Sequence, residues 1–222
     1  MSGPTRPEGD RVPQWYLHTQ RPTFPTPGTI IDVGVGDGTP ELYDAYPEIP
    51  RFLIEPLVEF EPACQRWTDE GRGDYVIAAA SNTSGPGVIH VHRSVPNNSS
   101  LSPRDASRRG GDREPRSIDL VTVDNLVTER SLPTPFIFKV DTEGHDRQVL
   151  EGAAASLREC LFVVSECWFA DRYSTNPSVN EVVPLLFDHG FSLIDVLEIT
   201  FNRDGCCRWA NLVFANDRHF TR

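Results

Sequence analysis

The stretch Phe136 to Ala153, FIFKVDTEGHDRQVLEGA, constrains the fold more than any other part of the 222-residue chain. Phe136–Val140 is an apolar run interrupted by one lysine, the pattern of a strand buried on both faces. It ends in Asp141, Thr142, Glu143, Gly144, His145 and Asp146, after which the chain passes straight into a helix carrying Val149 and Ala153 on one face. In an open α/β sheet, ligands sit outside the carboxyl ends of the strands, so a strand ending in carboxylates, a glycine and a histidine reads as the floor of an active site. Lys139 is the only lysine in the chain, and it stands where it can neutralise those carboxylates.

The same alternation recurs from end to end. Thr29–Val33 is a short apolar strand, and Gly34-Val35-Gly36-Asp37-Gly38 follows it. Thr39 and Pro40 then open a helix to about Tyr46, with Thr39 placed to cap it and Pro40 at its first position. Arg51–Ile54 is a second strand ending at Glu55, and a helix follows to about Glu70 with Pro62 near its start. Tyr75–Ala79 is a third strand, and Gly87–His92 a half-exposed one. Ser117–Val123, Leu161–Ser165, Phe191–Val196 and Trp209–Phe214 complete the set. A helix from Pro177 to His189, capped by Asn176 and closed by Gly190, precedes the last two strands, which are joined by the hairpin signal Asn202-Arg203-Asp204-Gly205. The pattern predicts an α/β fold: a mostly parallel, seven-stranded sheet with an antiparallel edge strand and helices on both faces. Residues 1–28, rich in proline, form an N-terminal arm, and 29–222 form one domain. Within it, 94–116 is a polar, arginine-rich loop of the kind that serves as a lid or stays flexible. The arm beside a small domain suggests a homodimer.

Composition narrows the partners. The net charge of −11 argues against nucleic acid or an anionic membrane and suits a small-molecule enzyme. No apolar run approaches the roughly 20 residues of a membrane span, and the first residues hold no signal-peptide core, so the expected location is the cytoplasm. The five cysteines are an odd number without a CxxC pair. Cys64, Cys160 and Cys167 read as small core residues rather than members of a zinc site or disulfide framework.

The glycine cluster after the first strand faces the start of a helix, where backbone can approach a ligand closely. A dinucleotide fingerprint would place its last glycine at position 39, which is threonine. The spacing is GxGxG, and with Asp32 before it this resembles motif I of class I S-adenosylmethionine-dependent methyltransferases. Glu55, at the end of the next strand, is placed to accept both ribose hydroxyls of an adenosine. KVDTEGHDRQVLEGA in turn resembles the signature of the FkbM methyltransferases, close to K-I-D-V-E-G-H-E-x-x-V-L-x-G. The match runs through Lys139, Asp141, Glu143, Gly144, His145, Val149, Leu150 and Gly152. The likeness extends over about Thr29 to Phe214 and includes the Ala79-Ala80-Ser81 turn and the Asn-Ser-Ser region before Leu101.

The resemblance implies a Rossmann-like class I fold, S-adenosyl-L-methionine as cofactor, and O-methylation of a small acceptor, typically a hydroxyl of a sugar or polyketide. Asp32, Gly34, Gly36, Glu55 and Ser81 would bind the donor. Methyl transfer to oxygen requires alignment of the acceptor and removal of its proton. His145, in the first turn of a helix, is held neutral by the helix dipole and serves as the base with Asp141 beside it. Asp141 and Glu166, at adjacent strand ends, could hold Mg2+. Asn98 and Trp168 would contact the acceptor, with His90, His92, Asn97 and Phe169 as further candidates. Two alternatives stand: a nicotinamide-dependent oxidoreductase, disfavoured by the missing glycine, and a non-catalytic subunit with the same fold, disfavoured by the intact acidic-histidine cluster.

Overall fold

In the computed structural model, residues 25–69, 71–102, 112–170 and 178–219 are described. Most of the N-terminal arm, positions 103–111 of the arginine-rich loop, and the Asn176 cap lie outside them. The strands are β1 (Thr29–Val33), β2 (Arg51–Glu55), β3 (Gly73–Ile77), β4 (Ala79–Ala80), β5 (Gly85–His92), β6 (Arg113–Val121), β7 (Phe136–Val140), β8 (Cys160–Trp168), β9 (Phe191–Phe201) and β10 (Cys207–Asn216). The helices are α1 (Pro40–Ala45), α2 (Glu61–Thr68), α3 (Val123–Arg130), α4 (Asp146–Glu151) and α5 (Val179–Asp188).

Seven strands form one sheet in the order β3-β2-β1-β7-β8-β10-β9. The first five are parallel, and β10 runs antiparallel to both neighbours, one place in from the edge. The chain builds outward from β1 to β3, then crosses back to lay β7 on the other side of β1. That reversal opens a crevice between the carboxyl ends of β1 and β7. Both strands, and β2, are buried at every residue, because alternate side chains enter different cores. Ile31, Val33, Phe136 and Phe138 join one core with residues of α3, α4 and α5, whereas Ile30, Leu53 and Ile137 join the other with residues of α1 and α2. Cys64, Cys160 and Cys167 are buried free thiols.

A second sheet has the order β4-β6-β5, and its Ala79, Ala80 and Ile89 reach the crevice. Here the structure departs from the expected 94–116 loop: Pro96–Asn98 is a 3-10 turn, and β6 already starts at Arg113. Contacts distant in sequence extend that strand. Glu114 meets Arg93, and Arg116 makes two bonds to Glu59, at 2.7 and 2.9 Å. Pro115 is tolerated because β6 has a neighbour only on the β5 side there. The helix after β7 is also shorter than expected, ending at Glu151, and β8 runs past Ser165 to Trp168. No described helix is long and apolar enough to cross a membrane.

Candidate active site

The carboxyl ends of β1, β2, β7 and β8 open into a cavity of about 690 Å³. Its floor brings together Gly34, Gly36, Glu55, Asp141, His145 and Glu166. The glycine turn is dictated by its neighbours. Gly34 has φ 78°, and a Cβ there would run into the carbonyl of Asp141, which is itself bonded to β1 through Asp141 N–H and Val33 O at 3.0 Å. The turn therefore packs against the end of β7. Glu55 is 3 % exposed and braces the turn from β2, accepting from Gly36 N–H and Leu57 N–H, each at 2.9 Å. Burial raises its carboxyl to about 7, against the pull of those two N–H groups. The carboxyl lines the cavity, where it can meet a ligand's hydroxyl.

Asp32 is wholly buried and does not line the cavity. Its carboxylate is occupied by Thr39 Oγ1 at 2.9 Å, Tyr43 Oη at 2.6 Å and Lys139 Nζ at 3.2 Å. It thus serves the turn from beneath, without reaching a ligand directly. Thr39 consequently spends its hydroxyl on Asp32 and makes no cap bond to α1. Lys139 also lies 3.7 Å from Asp141. Burial works against its ammonium, but Asp32, then Asp141 and Glu166, outweigh that and raise it, so the lysine is a fixed positive charge.

His145 is the N-cap residue of α4, and its Nε2 lies 2.9 Å from Ser81 Oγ. Burial lowers its pKa to about 4, opposed by Glu151, so the ring is neutral at neutral pH. Neutrality was expected from the helix dipole; desolvation is the dominant cause. Ser81 is buried and faces His145, while Ala79 and Ala80 line the cavity in its place. This follows from β4, which ties Ser81 N–H to Val121 O at 2.8 Å and turns the side chain toward α4. Gly152 closes α4 where a Cβ would strike the Ser81 carbonyl, which explains the glycine at the end of the signature.

Glu166 is raised well above the ordinary carboxyl range by burial and by Asp141, Glu143 and Asp146. Asp141 and Glu166 share the cavity, but no group of three or more His, Cys, Asp or Glu is arranged to hold a metal among the described residues. Among the described residues the two carboxylates are thus not joined by a third such ligand, and no step is assigned to Mg2+.

Trp168 is not in the cavity wall. Because β8 continues, Trp168 pairs with Trp209 in the sheet, and its indole N–H donates to Glu166 Oε1 at 2.7 Å. Phe169 and Asn98 also stand outside the wall, whereas Asn97 lines it and donates to Asp37 Oδ2 at 3.4 Å. His92 Nδ1 accepts from Val95 N–H at 3.1 Å, and His90 is engaged through its backbone with Ser100. Sequence reasoning missed Glu198 and Asn211, which line the far wall from β9 and β10. It also missed Asp146, whose Oδ1 accepts from both the backbone N–H and the hydroxyl of Thr142, at 3.0 and 3.1 Å, and braces the turn before His145.

A mostly parallel sheet with a crevice at its switch point, a glycine turn after the first strand and an acidic residue closing the second are the features of a Rossmann-like nucleotide-cofactor fold, the fold class that includes class I methyltransferases. The chain matches the Methyltransferase FkbM domain over residues 32–193. It belongs to that family of S-adenosylmethionine-dependent methyltransferases. No curated protein matches the sequence. Among solved structures, it is similar to the 1,6-didemethyltoxoflavin-N1-methyltransferase of Burkholderia thailandensis, at 12% identity over 90% of this chain and 74% of that one, TM-score 0.45. It is also similar to the magnesium protoporphyrin IX methyltransferase of Synechocystis PCC 6803, at 11% identity over 92% and 76%, TM-score 0.45.

Proposed function

We propose that this protein transfers the methyl group of S-adenosylmethionine to a hydroxyl of a sugar or glycosylated metabolite. The cofactor supplies an electrophilic methyl on a sulfonium; the rest is done by the cavity. The cradle fits it: Gly34 and Gly36 line the cavity with no side chain to fill it, and Glu55 lines it beside them, where it can meet a ribose hydroxyl.

The observation that carries the acceptor side is a row of polar side chains across three strands. Asn211 of β10 stands opposite Glu166 of β8 on one side and Glu198 of β9 on the other, and all three line the cavity. Carboxylates and amides spaced in this way suit the vicinal hydroxyls of a sugar ring. The base is His145. With Nε2–H donated to Ser81, its Nδ1 lone pair is left to accept the acceptor's proton, and Glu151, the charged group that acts on the ring, favours the imidazolium that results.

The test is a transfer assay with methyl-13C donor over a panel of free sugars and glycosides, with the product read by carbon NMR. A methyl ether supports the proposal; label found on nitrogen or carbon refutes it.

A further inference from the structure

His145 stands on a turn that the Thr142–Asp146 bonds brace only in part. Glu143 has φ 54° and Gly144 φ 93°, and a glutamate in the left-handed region needs support from elsewhere. Two serines some forty residues earlier supply it. Ser100 Oγ donates to the Glu143 carbonyl at 2.8 Å, and Ser102 Oγ donates to the Gly144 carbonyl at 2.9 Å. Both serines are buried, at 1 % and 8 % exposure. Ser100 Oγ also accepts from Ser102 N–H at 2.9 Å, so the two act as a unit.

The segment that carries them is firmly held. Ser100 exchanges both backbone bonds with His90 of β5, Ser99 Oγ accepts from His92 N–H at 3.0 Å, and Arg113 Nη2 donates to the Asn98 carbonyl at 2.6 Å. At its other end, Asn97 lies against Gly36 and bonds to Asp37. Residues 96–102 thus form a strap over the cavity that touches the donor's glycine turn at one end and the His145 turn at the other.

We propose that Ser100 and Ser102 are positioning residues that hold the Glu143–Gly144 turn and keep His145 buried against Ser81, and that Asn97 links the same strap to the donor side. Their consequence for catalysis rests on His145 as the base; their effect on the ring does not.

The experiment follows the His145 imidazole by NMR titration in the full chain, with the signal assigned through His145→Gln. In the wild type the ring titrates far below its ordinary value, with Glu151 the charged group acting on it. Ser100→Ala and Ser102→Ala release the turn and admit water, moving the titration up by about one unit or more toward 6.5. Ser100→Thr, which keeps the hydroxyl, restores the low value. S-adenosylhomocysteine shifts the His145 signal in the wild type and shifts it less in Asn97→Ala. Alanine variants that unfold cooperatively yet titrate at the wild-type position overturn the proposal. If Ser100→Ala does not fold, Ser102→Ala decides. Transfer that survives His145→Gln while the titration moves as stated removes the base assignment and leaves the strap standing.

Discussion

Replacing Asp146 by asparagine should make the protein more stable, and more so at high pH. Asp146 is 1 % exposed; Thr142 takes one oxygen, and Oδ2 has no hydrogen-bond partner. Burial, with Asp141 adding to it, moves the carboxyl from 3.8 to about 7. Because folding raises this acid, the unfolded chain ionises first as pH climbs, and stability is lost between the unfolded and folded values. At 1.36 kcal/mol per unit the whole effect is about 4 kcal/mol, of which roughly 2 to 3 kcal/mol is lost between pH 5 and pH 8. Asparagine keeps the oxygen that Thr142 uses and has nothing to ionise. Glu55, Glu166 and His145 titrate in both proteins and largely cancel in the difference. Urea unfolding of the two proteins at pH 5 and pH 8 measures it, as does a melting-temperature gap that widens by about 5 to 10 °C. A gap that does not change with pH refutes the reasoning.

Other outcomes follow from the same contacts. Gly152→Ala forces a Cβ onto the Ser81 carbonyl and should cost about 1 to 3 kcal/mol in urea unfolding, while disturbing the partner of His145. His145→Gln should lower kcat by about 10² to 10⁴ with little change in donor affinity, measured by single-turnover transfer and calorimetry. Since His145 gains its proton only near pH 4, the wild-type rate should show no loss on its account between pH 7 and pH 5.5. Activity in excess chelator should equal that without it; loss restored by Mg2+ would return a metal to Asp141 and Glu166.

Much of the fold was legible because local rules and tertiary structure agree. Phe136–Val140 is apolar at nearly every position, and it forms the expected strand with the expected bounds. The GxGxG turn and Glu55 could be placed by their order along the chain, since each follows a strand whose carboxyl end must face the crevice. Where the reading failed, a contact distant in sequence had the last word. Thr39 looks like a cap, but Asp32 takes its hydroxyl. β8 seems complete at Ser165, yet antiparallel pairing with β10 carries it to Trp168 and takes the indole out of the cavity wall. Ser81 was expected to bind the donor, and two bonds, to Val121 and His145, direct it elsewhere. The serine bonds to Glu143 and Gly144 span 43 and 42 residues, so no periodicity or spacing announces them.

The division of the cavity into a donor half on Glu55 and an acceptor half on His145 is tested most directly by calorimetric titration of S-adenosylhomocysteine into the wild type, Glu55→Gln and His145→Gln. Glu55→Gln should weaken binding by about tenfold or more, the equivalent of about 1.4 kcal/mol, and His145→Gln should leave it within a factor of about two. Unchanged affinity in Glu55→Gln, or a large loss in His145→Gln, would contradict that division.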